Sequence, residues 1–195
     1  RENSPLLQKK TFNGEGPYVE ATIEEAILFC NWLSEYDGLS KLYHLDPVTK
    51  QWTVDVRKSG YRLPFNHEWE YASRFGYDFC TKPGCRNWDV MKEELAGKNE
   101  LVNHYYAADS LRLPDERYLY PLGFYDLCGN APELCMDFSP AANDVANVAV
   151  KFVVKAGTKR VYAINDVLPG KHRDAQAGKA EYGFRVVRSI PYKSF

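Results

Sequence analysis

Residues 61–74 read Tyr61-Arg62-Leu63-Pro64-Phe65-Asn66-His67-Glu68-Trp69-Glu70-Tyr71-Ala72-Ser73-Arg74. The proline pushes Leu63 out of the helical region, so Tyr61 to Pro64 is extended. Asn66 is then expected to cap a helix running from His67 to about Phe75 and stopping at Gly76. On that helix Trp69 and Ala72 share a face, and Glu68 lies four residues before Ala72. Glu68 and Glu70 resemble an acid and base pair in composition only. Two positions apart on a helix they point about 200° apart, so they cannot attend one substrate atom together. The segment reads as a structural helix that buries aromatic surface and offers carboxylates to neighbouring loops.

Upstream, Thr22-Ile23-Glu24-Glu25 is a capping box, and Ile23, Ala26, Ile27, Cys30 and Leu33 recur at helical spacing until Asp37-Gly38. This predicts a helix over roughly 23–36. Residues 1–20, with the turn Gly14-Glu15-Gly16-Pro17, read as an extended lead-in to a domain spanning 21–195. Lys41–Leu45 and Gln51–Val56 flank a turn at Asp46-Pro47 and predict a hairpin or two short strands. From Tyr77 to Leu122 the pattern is weak, with a short helix expected near Asp89–Lys98. Loops this long in a compact domain usually carry function or bound ions. Phe152-Val153-Val154 and Gly183–Val187 read as strands.

The composition excludes several classes. With 195 residues and 45% of them hydrophobic, the chain can bury a real core, so disorder is ruled out. Its 25 basic and 26 acidic residues leave a net charge of −1, which provides no global field for nucleic acid. The apolar runs at Ala26–Phe29 and Val148–Val154 are far shorter than the ~18–20 residues of a membrane span. Five cysteines are too few for a disulfide-dense secreted module, and an odd number favours a reducing, cytoplasmic setting. Fourteen tyrosines, ten phenylalanines and four tryptophans suit a loop-rich fold whose loops are packed and hydrogen-bonded at once. The chain begins Arg1-Glu2-Asn3, which leads us to expect a fragment or a processed form of a longer protein.

Few motifs carry chemistry. In Gly123–Leu134, Asp126 and Glu133 with backbone carbonyls between them could supply oxygens to calcium, or could be solvated carboxylates around an Asx-type turn. Cys80 and Cys85 have a spacing open to a disulfide, to half a zinc site with Cys128 and Cys135, or to plain thiols. His44, His67, His104 and His172 lack the paired helical spacing of a metal site. No phosphate-binding glycine loop, nucleophile elbow or kinase signature is present.

Four motifs in order, Phe29-Cys30-Asn31-Trp32-Leu33, Tyr61–Pro64 with Glu68–Ala72, Gly123–Glu133, and Gly183-Phe184-Arg185, make the chain similar to the formylglycine-generating enzyme, or sulfatase-modifying factor, family. The resemblance covers roughly residues 20–188. It implies an α+β, C-type-lectin-like fold, loop-rich, with two main helices and short antiparallel strands. It also implies a structural calcium at the positions matching Asp126, Gly129, Ala131 and Glu133. The departures bear on activity. Lys155-Ala156-Gly157-Thr158-Lys159 stands where the family typically has Arg-Gly-Gly-Ser-Trp. The family's oxidases bind copper through two cysteines between that element and the terminal Gly-Phe-Arg, whereas residues 155–185 here contain none, so no copper is expected.

The expectation is therefore a non-catalytic binding module. Retroelement-diversified variable proteins use a similar scaffold, with binding residues before the terminal Gly-Phe-Arg. At the matching place stand Tyr162, Asn165, Asp166, His172, Arg173, Asp174 and Gln176, residue types suited to a protein or peptide ligand. The alternatives are a metal- and oxygen-dependent oxidase that modifies a cysteine, which would need other cysteines to meet in space, and a structural oligomerisation domain.

Overall fold

The computed structural model describes residues 20–73, 123–124, 127, 131–138, 148–155, 173–179 and 182–191. The first helix, α1 (Ile23–Tyr36), has the expected bounds and the expected cap. The Glu25 amide donates to Thr22 Oγ1 at 3.1 Å, and the Thr22 amide donates to Glu25 Oε2 at 2.9 Å. It stops where Gly38 takes φ +69°, a conformation that costs glycine nothing. Its inner face buries Ala26, Ile27 and Cys30, together with the polar Asn31 and Ser34.

A hairpin follows, β1 (Tyr43–Leu45) and β2 (Trp52–Val54), paired antiparallel with Tyr43 opposite Val54. Asp46 makes its turn: Oδ1 accepts from the Val48 and Thr49 amides, each at 2.8 Å. β3 (Gly60–Arg62) pairs antiparallel with β8 (Val187–Ser189) in a separate two-stranded ribbon. Gly60 sits so close to α1's exit loop that a β-carbon there would lie 2.2 Å from the Ser40 carbonyl oxygen. Next comes α2 (Asn66–Ser73). Asn66 does not cap it but lies inside it, and its side-chain amide donates to Asp137 at 3.3 Å. Glu68 instead reaches back to the Phe65 amide at 2.8 Å. Phe75 and Gly76, the expected end, lie outside the described residues.

The larger sheet runs β1-β2-β5-β4-β7, where β4 is Glu133–Phe138, β5 Val148–Lys155 and β7 Gly183–Phe184. β6 (Arg173–Asp174) shares with β2 the outer edge of β5, β2 pairing at Val148 and Ala149 and β6 at Val153 and Val154. β4 and β5 pair antiparallel from Glu133–Lys155 to Phe138–Val150. One pairing departs from the antiparallel expectation, because β7 runs parallel to β4. No alternation marks β4 in the sequence, because residues 133–136 are all buried. The expected strand over Gly183–Val187 is in fact two, β7 and β8, in different sheets.

The core lies between α1 and the sheet. Ala26, Ile27, Cys30, Leu42, Tyr43, Val54, Leu63, Phe65, Leu134, Met136, Val154 and Tyr182 form one buried cluster. This α+β arrangement of two helices and short strands brings the terminal Gly-Phe-Arg against the start of β4.

Candidate functional site

Each acidic residue of α2 finds its own cation, as the 200° divergence of Glu68 and Glu70 requires. Arg62, on β3, donates to both oxygens of Glu68 at 2.6 and 2.7 Å. The same guanidinium donates to Ser189 Oγ at 2.8 Å and to the Leu63 carbonyl at 3.1 Å, and lies over the Phe65 ring at 4.7 Å. One buried arginine so joins β3, α2 and β8. Burial pushes the Glu68 carboxyl up, but the Arg62 guanidinium, by hydrogen bond and by charge, and the Phe65 amide together hold it below its ordinary value. Glu70 pairs with Lys155, whose side chain is fully buried and whose ammonium sits 5.1 Å from the centre of the Trp69 ring.

The third node is Glu133, first residue of β4. Trp69 Nε1 donates to its Oε2 at 2.8 Å, Arg185 Nε donates to the same oxygen at 2.6 Å, and Arg185 Nη2 donates to Oε1. The parallel register places Gly183 beside Glu133, and the Gly183 amide donates to the Pro132 carbonyl at 2.8 Å. This wiring ties the terminal Gly-Phe-Arg to α2 and β4. The sequence alone does not mark Trp69, Lys155 and Arg185 as partners of these carboxylates. Only the need for partners is local, since each glutamate of a short packed helix demands one; which residue answers it comes with the fold.

Of the expected calcium set, Asp126 and Gly129 lie outside the described residues. Ala131 is buried, as is Leu127 in the same stretch, and Gly123 takes φ +82°. Glu133, the described carboxylate of the set, accepts from the Arg185 guanidinium at both oxygens and from the Trp69 indole N–H at Oε2.

The expected ligand-binding residues divide similarly. Tyr162, Asn165, Asp166 and His172 lie outside the described residues. Arg173, Asp174 and Gln176 belong to a segment rooted firmly on the sheet. Arg173 and Asp174 pair with β5, and the Ala175 amide donates to the Phe152 carbonyl at 3.0 Å. Asp174 is exposed and bridges Lys151 at 2.7 Å. Gln176 is exposed too, while its amide donates to the hydroxyl of the buried Tyr182 at 3.0 Å. The segment then turns at Gly178, φ +74°. Two exposed polar side chains thus stand on a fixed backbone where the sequence suggested a binding surface.

Among the cysteines, Cys80, Cys85 and Cys128 lie outside the described residues. Cys30 and Cys135 are buried free thiols. Burial pushes Cys30 up to about 12, against the lowering pull of Arg62, and burial with the Glu133 charge raises Cys135 well above its ordinary value. Both are held as thiols, whereas the thiolate is the form that binds metal or attacks.

The family described as Sulfatase-modifying factor enzyme 1-like domain matches residues 3–190. Chaperone protein LppX of Paenibacillus barcinonensis is 29% identical over 208 residues, covering 91% of this chain and 72% of LppX. Among solved structures, Treponema denticola variable protein 1 is similar with TM-score 0.65 at 18% identity, over 93% of this chain and 74% of that one. A protein named CarF is similar with TM-score 0.62 at 19% identity, over 93% and 70% of the two chains. At such identities the two structures establish a shared fold, the α+β, C-type-lectin-like one expected from the four ordered motifs.

Proposed function

The chain belongs to the sulfatase-modifying factor enzyme 1-like family, and we propose that within it the chain is a non-catalytic module that binds a protein or peptide through its C-terminal loops. One observation carries this reading: residues 155–185 contain no cysteine in the stretch where the family's oxidases hold copper. Cu(I) selects soft thiolates, and the two described cysteines are buried thiols elsewhere in the fold. A relative named as a chaperone and a structural neighbour named as a variable protein both support recognition over chemistry. In this reading Tyr162 is an aromatic anchor, and Asn165, Asp166, His172, Arg173, Asp174 and Gln176 supply adaptable polar contacts. If the module is of the retroelement-diversified kind, sibling sequences from one genome differ most between residues 155 and 182.

Two measurements on the same preparation test the proposal. Cu(I) titration with oxygen uptake, in the presence of a cysteine-containing peptide, is expected to give no turnover; stoichiometric copper binding with turnover overturns it. Peptides selected by display on the chain are expected to lose binding when Tyr162→Ala and Asp166→Ala are combined. Selected binders indifferent to that pair, and to Gln176→Ala, place the ligand elsewhere and overturn the assignment to these loops.

A further inference from the structure

A second surface lies on α1, on the side turned away from the core. Its inner face is used up by Ala26, Ile27, Cys30, Asn31 and Ser34. At about 100° per residue, Leu28, Trp32 and Tyr36 fall on one slowly drifting stripe of the opposite side. Leu28 is 40% and Tyr36 62% exposed. Rings line up along it: Phe184 of β7 meets Phe29 edge-on at 5.5 Å, Phe29 lies 5.5 Å from Trp32, and Trp32 stacks on Tyr36 at 5.4 Å and 29°. The chain of rings runs from the sheet out to solvent.

The charged residues of the helix itself and of its C-cap have one sign. The helix carries Glu24, Glu25 and Glu35 and no basic residue, and Asp37 follows it. Glu24, Glu35 and Asp37 are exposed. The carbonyl end of a helix attracts cations, yet no basic residue stands in the last turn, beside Tyr36. Lys41 reaches Glu35 at 2.8 Å, but both side chains are about half exposed and such pairs contribute little.

We propose that this stripe docks a basic, apolar polypeptide segment in which arginine or lysine alternates with aliphatic residues. The aliphatic side chains lie against Leu28 and Trp32, and a guanidinium or ammonium lies on the Tyr36 ring with Glu35 and Asp37 as counter-charges. The surface is separate from the C-terminal loops, and the proposal stands whether or not those loops bind a ligand. An anionic partner such as nucleic acid is disfavoured by the same carboxylates.

The test is fluorescence anisotropy of a labelled peptide of repeated Leu-Arg pairs, with a Leu-Glu peptide and a panel of oligosaccharides alongside. Binding to Leu-Arg is expected, weakening severalfold between about 50 and 300 mM salt. Tyr36→Ala is expected to weaken it about tenfold while Tyr36→Phe stays within about twofold, since the ring face and not the hydroxyl carries the contact. Combined Glu24→Gln and Glu35→Gln is expected to lower affinity severalfold. These positions are exposed, and an unchanged circular dichroism spectrum separates a lost contact from a lost fold. Absence of Leu-Arg binding, equal binding of Leu-Glu, preference for an oligosaccharide, or indifference to Tyr36→Ala each overturns the proposal.

Discussion

The two helices are fastened to the strands by opposite chemistry. α1 is held by neutral groups: Asn31 Nδ2 donates to the Tyr43 carbonyl at 2.9 Å, the Tyr43 amide donates to Asn31 Oδ1 at 3.1 Å, and the Tyr61 amide donates to Ser34 Oγ at 2.7 Å. α2 is held by ions: Arg62 with Glu68, Lys155 with Glu70, and the Trp69–Glu133–Arg185 node. Neutral contacts of this kind are indifferent to pH, whereas a buried ion pair depends on both partners staying charged. The ionic side is also the side that anchors the C-terminal segment. The fold thus fixes the root of its candidate ligand loops by the more condition-sensitive of its two fastenings.

The sharpest way to break this contrast is Arg185→Met. It leaves the buried Glu133 carboxylate with Trp69 alone, and stranding one member of such a pair costs about 3–5 kcal/mol. The low end is expected here, because the Arg185 side chain is 25% exposed. Urea unfolding should show the loss. Adding Glu133→Gln to Arg185→Met should restore part of it, since the uncompensated charge is then gone. A double variant no better than the single one would mean that packing of the arginine stem, and not the charge, is what the node supplies.

On the neutral side, Asn31→Leu keeps the branching of the side chain and strands the Tyr43 amide and carbonyl, both buried. At about 1–3 kcal/mol for a stranded buried group, with partial relaxation, a loss of about 2 kcal/mol is expected. It should be the same at pH 4.5 and pH 7. A pH-dependent loss would erase the distinction between the two sides.

A smaller, graded effect comes from acid. Folding holds the Glu68 carboxyl below its ordinary 4.5, so its contribution is complete above that value and is lost as pH falls through the lower, folded one. Unfolding measured from pH 6 to pH 3 should therefore show stability falling in wild type, and falling less steeply in Glu68→Gln. Asp55, lowered chiefly by the Arg57 hydrogen bond against its own burial, acts in the same direction and stays in both proteins. The difference between the two curves isolates Glu68.

How far the sequence could be read follows the same divide. α1 was legible to the residue, because a capping box, a helical apolar period and a glycine stop are all local signals. The hairpin was legible through Asp46 and the alternation around it. β4 was not, because its first four residues are buried on both faces and its sequence, Glu133-Leu134-Cys135-Met136-Asp137-Phe138, has no alternation that matches solvent. Nor was the ionic node: Trp69, Glu133 and Arg185 lie 64 and 52 residues from their partners, and no local pattern encodes such pairings. Arg185 was visible only as part of a recurring motif, without its role. Lys155 was noted as a departure from the family pattern, and its burial against Glu70 came only with the fold.

The smallest expected effect concerns calcium. The family resemblance implies a calcium set of Asp126, Gly129, Ala131 and Glu133, and in the fold the Glu133 carboxylate also faces the Arg185 guanidinium. Any ligand that binds only the native state raises stability by RT ln(1 + [L]/Kd), about 2.7 kcal/mol at a hundredfold excess over Kd. If Arg185 does the work of the ion, melting temperatures in EDTA and in about 1 mM calcium should agree closely, well inside the several degrees such a linkage gives a domain of this size. The comparison is most informative in Arg185→Met. There the freed carboxylate can face a cation, and calcium should raise the melting temperature of the variant more than that of wild type. A large calcium effect in wild type would show instead that the guanidinium yields its place to the ion, and that the Glu133 node is a metal site that the arginine fills only in the ion's absence.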